Sequence, residues 1–254
     1  MHFAEYPRVI YKSNPLDEVI TQARFSRILR LEEKTPSEFQ ERIKDKYPVL
    51  TQKESVSMDV FADEEIAKKT ITPIYEFSSR EGDWTLVLSS EFLALTTKNY
   101  TQWEEFIGRF EEALGFFIEI YNPNFYSRLG LRYKDLIVPS KLGLEDRPWS
   151  DLINPVCLGF MSDNDVGIEN INESLLRTLV TLDTGYVTIN CSLVKLKDSN
   201  ETGYLIDSDF FTPNAVELED AGKILGSFNS EARNLFRWCI REDLHNAMEP
   251  EQIY

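Results

Sequence analysis

The chain is poor in the residues on which most catalytic sites depend. Only two of its 254 residues are histidine and three are cysteine. His2 and His245 belong to no Ser/His/Asp or Cys/His pattern, so acid–base catalysis by histidine is not expected. Neither a P-loop GxxxxGK[ST] nor a dinucleotide-binding GxGxxG occurs in the sequence. These absences favour a protein that is not an enzyme and that uses no cofactor.

The cysteines, Cys157, Cys191 and Cys239, are far apart in sequence and lie among apolar residues. Three cysteines without a CxxC spacing give neither a disulfide framework nor a zinc signature. We expect buried free thiols in a reducing compartment. The N-terminus has no basic-then-apolar signal, and no apolar run approaches the ~20 residues of a membrane span. The expected location is the cytoplasm, with no membrane partner.

Positive charge is also scarce. The 27 Lys and Arg residues stand against 43 Asp and Glu residues, which gives a net charge of −16. Such a charge repels polyphosphate at long range and disfavours DNA or RNA as a partner. The simplest explanation for the acidity is that it keeps the protein soluble. The alternative is that it attracts a basic protein partner or mimics the charge of a nucleic acid.

The chain does contain clear helix and strand patterns, and 42% of its residues are hydrophobic. A β-rich run covers Trp84–Thr96. Aromatic and aliphatic residues then recur every three or four positions over Trp103–Tyr121, which predicts a helix. Asn122-Pro123 ends that helix, and apolar residues alternate with polar ones over Phe125–Lys134, which predicts a strand.

Weaker patterns complete the expected fold. A helix is expected from Pro36 to Tyr47, an irregular polar stretch over 52–69, a tight turn at Asp183-Thr184-Gly185, and a helical region after Pro213. Further strands are expected over 18–31, 71–79, 155–161, 174–182, 186–196 and 203–211. The predicted class is α+β, with antiparallel or mixed sheets and long helices packed on one face.

The domain organisation follows from a proline-rich stretch, 139–155, which lacks any periodicity. We interpret it as a connector between two similar-sized α+β halves, residues 1–138 and 156–254. A single fused domain is the alternative.

The segment Ser127–Tyr133, with the sequence SRLGLRY, resembles the hallmark RxGLRY of a sporadically distributed bacterial family of uncharacterised proteins of similar length. Tyr204–Asp209 resembles a second landmark of that family, and the helix expected over Phe236–Leu244 is similar in placement to its end. The chain departs from the family at Lys134-Asp135, where the resemblance implies an apolar residue and an asparagine. The resemblance implies a bacterial context and no known catalysis.

The first candidate site is a set of basic residues on the strand that follows the long helix. Arg128, Arg132 and Lys134 share one strand face, with Gly130 between them. A glycine there leaves room for close approach, and arginine binds carboxylate or phosphate in a two-pronged way. The site would hold an anionic ligand or a partner. Alternatively, these cations face solvent or pair with acidic residues such as Glu91 on a neighbouring strand.

The second candidate site is an acidic pair. Asp207 and Asp209 are two residues apart and would therefore share one strand face. Two carboxylates can hold Mg²⁺ if a third ligand joins them, although the sequence identifies no third ligand. The alternative is a structural pair.

Three functions remain in competition. The leading hypothesis is a non-enzymatic bacterial accessory protein, antitoxin-, immunity- or defence-like, that binds another protein through its acidic surface. The second is a module that binds a small anionic ligand or nucleotide through Arg128 and Arg132. The third is a metal-dependent hydrolase that uses Asp207 and Asp209.

Overall fold

The structure, a computed structural model, describes residues 1–59, 68–163, 171, 173–197, 199 and 201–253, and it has the predicted α+β class. The strands in these ranges are β1 (Val9–Tyr11), β2 (Leu16–Phe25), β3 (Val49–Asp59), β4 (Lys68–Ser78), β5 (Trp84–Leu88), β6 (Phe92–Thr97), β7 (Tyr126–Ile137), β8 (Leu175–Thr181), β9 (Tyr186–Lys195), β10 (Thr202–Phe211) and β11 (Pro250–Gln252). The α-helices are α1 (Arg30–Glu33), α2 (Ser37–Ile43), α3 (Trp103–Tyr121), α4 (Trp149–Leu152), α5 (Pro155–Leu158), α6 (Ala221–Cys239) and α7 (Glu242–Ala247).

Nine of the strands in the described ranges form an antiparallel sheet in the order β3-β4-β5-β6-β2-β7-β10-β9-β8. The other two, β1 and β11, pair antiparallel as a separate ribbon. No helix in the described part of the chain is both long enough and apolar enough to cross a membrane.

The chain divides into two compact units that are discontinuous in sequence. The first unit contains Met1–Val19, Gly130–Pro213 and Gly222–Tyr254, and the second contains Ile20–Leu129 and Asn214–Ala221. These units do not coincide with the predicted halves 1–138 and 156–254. The predicted connector, 139–155, lies wholly in the first unit, where it forms a 3-10 turn (Pro139–Leu142) and α4.

In the second unit, α3 packs on one face of the strands. The ring of Phe117 stacks on Phe25 of β2 at 4.4 Å between centroids, and Phe106 lies 6.1 Å from Trp84 of β5. Alternate residues of β5 are buried, as a strand covered on one face requires. Asn122 ends the helix with a left-handed backbone, which asparagine tolerates better than most residues. The predicted helix over Trp103–Tyr121 is confirmed at both ends.

In the first unit, α6 covers one face of β7 and β10. Phe228 of α6 lies 6.0 Å from Phe210, and the Tyr133 hydroxyl donates a 2.9 Å hydrogen bond to Asn229. The predicted strands β7, β8, β9 and β10 are confirmed, and so is the turn at Asp183–Gly185, where the Leu182 N–H donates to the Gly185 carbonyl.

Four predictions of secondary structure are wrong. The run Trp84–Thr96 is two strands, because the Ser89 side chain accepts the N–H groups of Glu91 and Phe92 and turns the chain. The expected strand over 18–31 ends at Phe25 and is followed by α1.

The expected strand over 155–161 is instead α5 and a 3-10 turn. Asn154 accepts the Val156 N–H as an N-cap, and Pro155 occupies the first helical position, where proline is favoured. The stretch 52–69, which the sequence predicts to be irregular, instead contains two strands. Strand β3 continues to Asp59 and strand β4 begins at Lys68, while 60–67 lie outside the described residues. Residues 49–55 of β3 are all exposed, so this strand can carry consecutive polar side chains and lacks the apolar–polar alternation by which a strand is predicted.

Candidate functional site

The predicted basic residues lie on β7, directly beside the predicted acidic pair on β10. The register places Asp207 opposite Lys134 and Asp209 opposite Arg132, so all four side chains share one face of the sheet. Arg132 reaches diagonally to Asp207 and makes a two-pronged ion pair, with Nε–Oδ1 at 2.7 Å and Nη2–Oδ2 at 2.6 Å. A residue of the first predicted site is therefore ion-paired with a residue of the second.

The other basic residues of the first candidate site are also placed by their surroundings. Lys134 pairs with Glu18 of β2. Gly130 is buried, and its cross-strand neighbour is Phe211, whose ring stacks on Tyr186 at 5.8 Å. Arg128 is half-buried at the start of β7. Glu91, which the sequence suggested as an acidic neighbour, bonds instead to Arg24.

This arrangement favours a structural role for the charged face over a ligand site. The Asp207 side chain is only 9% exposed, and its hydrogen bond holds the pKa of Arg132 above its usual value. An incoming anion would have to displace that buried carboxylate. Within the described ranges, no group of three or more His, Cys, Asp or Glu side chains could hold a metal ion, so Asp207 and Asp209 gain no third ligand there.

Replacing Arg132 by methionine should lower the free energy of unfolding by about 1–2 kcal/mol, because the buried Asp207 carboxyl group would lose the two hydrogen bonds that Arg132 donates to it. The partial exposure of Arg132 keeps the effect at the lower end of the range for charged pairs. The double variant Arg132→Met/Asp207→Asn should recover part of the loss in urea titrations. Single variants that match the wild type would show that the pair contributes nothing to stability.

Asp135, on the opposite face of β7, has a different environment. It is only 5% exposed, and no described residue makes a hydrogen bond or ion pair with its carboxylate. Burial, with a smaller contribution from the charge of Asp207, raises the pKa of Asp135 to about 8. A carboxyl group of this kind is mostly protonated at neutral pH.

The three cysteines are buried free thiols, and the fold brings them together. The Cys157 thiol interacts with those of Cys191 and Cys239. The interaction with Cys157, together with burial, raises the pKa of Cys191 well above its usual value. Because the thiolate is the reactive form, the raised pKa values of Cys157 and Cys191 disfavour these two thiols as nucleophiles.

Three exposed leucines of the first unit lie on β8, the end strand of the sheet. Leu175 and Leu179 are 62% and 61% exposed, and Leu176 is 36% exposed. No described residue pairs with the outer edge of β8. Unpaired backbone groups beside exposed leucines form an edge to which another strand can add.

An apolar groove of about 290 Å³ runs beside this edge. Its lining includes Leu176 and Val180 of β8, Val156, Trp238 and the N-terminal residues Met1–Ala4. Val156 and the nearby Phe160 are 64% and 79% exposed. Exposed apolar patches of this kind mark contact sites for other proteins.

The sequence could not reveal this surface, because the apolar residues of LLRTLVT occur on both strand faces, a pattern that equally suits a buried strand. Comparisons with protein-family models, with curated proteins and with solved structures find no match.

Proposed function

We propose that the chain is a non-enzymatic interaction protein, and that its partner adds an extended segment to the outer edge of β8. The observation that carries the proposal is the exposure of three leucines on a sheet edge of seven residues. Natural sheets protect their edges with charge, proline or a covering element, and an exposed apolar edge is costly unless a partner covers it.

The ladder indicates which backbone groups the partner would meet. The Leu193 N–H donates to the Ser174 carbonyl, so the hydrogen-bonded pairs with β9 fall at the even-numbered residues of β8. The odd-numbered residues, from Leu175 to Thr181, therefore direct their N–H and C=O groups outward. An added strand would bond to these groups and place alternate side chains over the groove beside Leu176 and Val180.

Charge favours another protein over a second copy of this chain. Two copies would each bring a net charge of −16 to the contact, whereas a basic partner is attracted. The partner we propose is an extended segment with apolar residues at alternate positions and basic residues at its ends. The assignment to an antitoxin-, immunity- or defence-like system stays a prediction, which the identity of the natural partner would test.

The variant Leu179→Lys should remove this binding, because it places a charge in the centre of the edge. The probe is a short peptide of alternating valine and threonine with lysine at both ends, and its dissociation constant is measured by fluorescence anisotropy. We expect Leu179→Lys to weaken binding at least about tenfold. Leu29→Lys is the matched control, since Leu29 is equally exposed at 61% and lies outside the edge.

Two results would contradict the proposal. Equal binding of the same peptide with glutamate at both ends would remove the argument from charge. A dimer of the free chain that Leu179→Lys dissociates, seen by light scattering, would make a second copy the occupant of the edge.

A further inference from the structure

A second pocket of the first unit, of about 260 Å³, has an unusual lining for so acidic a protein. It lies between the N-terminal segment, α6 and α7, and neither the basic face of β7 nor the edge of β8 contributes to it. The side chains that define its chemistry are Tyr6, Tyr11, Arg233, Phe236, Arg237 and His245.

The lining residues include two arginines and no carboxylate. Arg233 and Arg237 are one helical turn apart on α6, so both line the same side of the pocket. Arg237 pairs with Glu242, and its Nη1 also donates to the Ile240 carbonyl at 3.4 Å. The Arg237 side chain is only 16% exposed, whereas that of Glu242 is 71% exposed, so solvent and another carboxylate can reach the acidic partner of this pair.

Aromatic rings form the walls of the pocket. The guanidinium of Arg237 lies 5.3 Å from the centre of the Tyr6 ring, and Tyr11 meets Phe236 edge-to-face at 5.9 Å. Such walls suit a flat apolar body, which gains contact area with little loss of conformational entropy.

The polar end of the pocket stays neutral near pH 7. The Tyr11 hydroxyl and His245 Nδ1 are hydrogen-bonded at 2.8 Å. Burial, with a contribution from Arg237, lowers the pKa of His245, and burial raises the pKa of Tyr11 to about 12. The arginines are therefore the charged groups that a ligand would meet, and they call for an anion.

We propose that this pocket binds a small aromatic carboxylate. The ring of the ligand lies among Tyr6, Tyr11 and Phe236, and its carboxylate replaces that of Glu242 on Arg237, with Arg233 beside it. Arginine binds a carboxylate through two parallel hydrogen bonds, which fixes its orientation. The volume is slightly below the usual range for drug-sized ligands and suits one ring with a short acidic arm.

The test uses the whole chain with benzoate, phenylacetate and indole-3-acetate, each paired with its neutral amide, in calorimetric titrations. At least one acid should bind saturably while its amide does not. Arg237→Gln should weaken binding at least tenfold, and Arg233→Gln should weaken it as well, which covers the case of one variant failing to fold. Glu242→Gln should tighten binding, because it removes the competing carboxylate.

Lys223→Gln is the matched control, since Lys223 is an exposed cation on the same helix. It should leave the dissociation constant unchanged. The proposal is overturned if none of the three acids binds, if an amide binds as tightly as its acid, or if Glu242→Gln and both arginine variants bind like the wild type.

Discussion

The variant Gly185→Ala should lower the free energy of unfolding by about 3 kcal/mol or more. A Cβ atom at this position would overlap the carbonyl oxygen of Phe211 and would lie 3.2 Å from both the Phe211 carbonyl carbon and Cζ of Phe228. The Phe211 atoms belong to the backbone of β10, and Phe228 is a fully buried ring, so neither can move aside at low cost. Urea titration with a tryptophan fluorescence signal measures the loss.

Gly108→Ala is the matched control for this prediction. Gly108 lies inside α3, and a Cβ there would meet nothing within 4 Å. Alanine should stabilise the helix by about 0.5–1 kcal/mol, because glycine loses more backbone entropy on folding. If both glycine variants changed stability by the same amount, the clash at Gly185 would not be the cause of the loss there.

The sequence predicted elements whose signals are local and strong. Helix α3 carries aromatic residues at helical spacing and a stop at Asn122-Pro123, and these features describe the same element. Strand β9 follows the turn residues Asp183-Thr184-Gly185, and its residues alternate between buried and partly exposed over most of its length. Each of these predictions needed only information from within the element itself.

The failure over 155–161 arises because a short apolar run has no period of its own. Residues 155–161 are apolar enough for a strand, but the N-cap residue Asn154 and Pro155 at the first helical position favour a helix.

The candidate site shows the same limit at the level of tertiary structure. The sequence places Arg132 and Asp207 each on a strand, but their contact depends on β10 lying beside β7 in one particular register, which no local pattern specifies. The edge at β8 and the pocket at Arg237 depend equally on which elements are neighbours. The sequence allowed us to predict which strand or helix carries each of these residues, but not which residues they contact in the folded protein.

Asp135→Asn should stabilise the protein, and the gain should grow with pH. The pKa of Asp135 is about 8 in the folded state against 3.8 as its ordinary value. The folded state therefore binds more protons than the unfolded state between these values, and stability is lost as pH rises through this window. Asparagine has nearly the same shape and carries no charge at any pH.

The difference in unfolding free energy between the variant and the wild type should rise by about 1.4 kcal/mol per pH unit inside the window, or about 2–3 kcal/mol between pH 5 and pH 7. Urea titrations at several pH values measure it. Asp17→Asn, at an exposed carboxylate, should change stability by no more than about 0.5 kcal/mol at any of them. A difference for Asp135→Asn that stays constant with pH would mean that the Asp135 carboxyl ionises normally in the folded state, and that water or a shift of β7 solvates it.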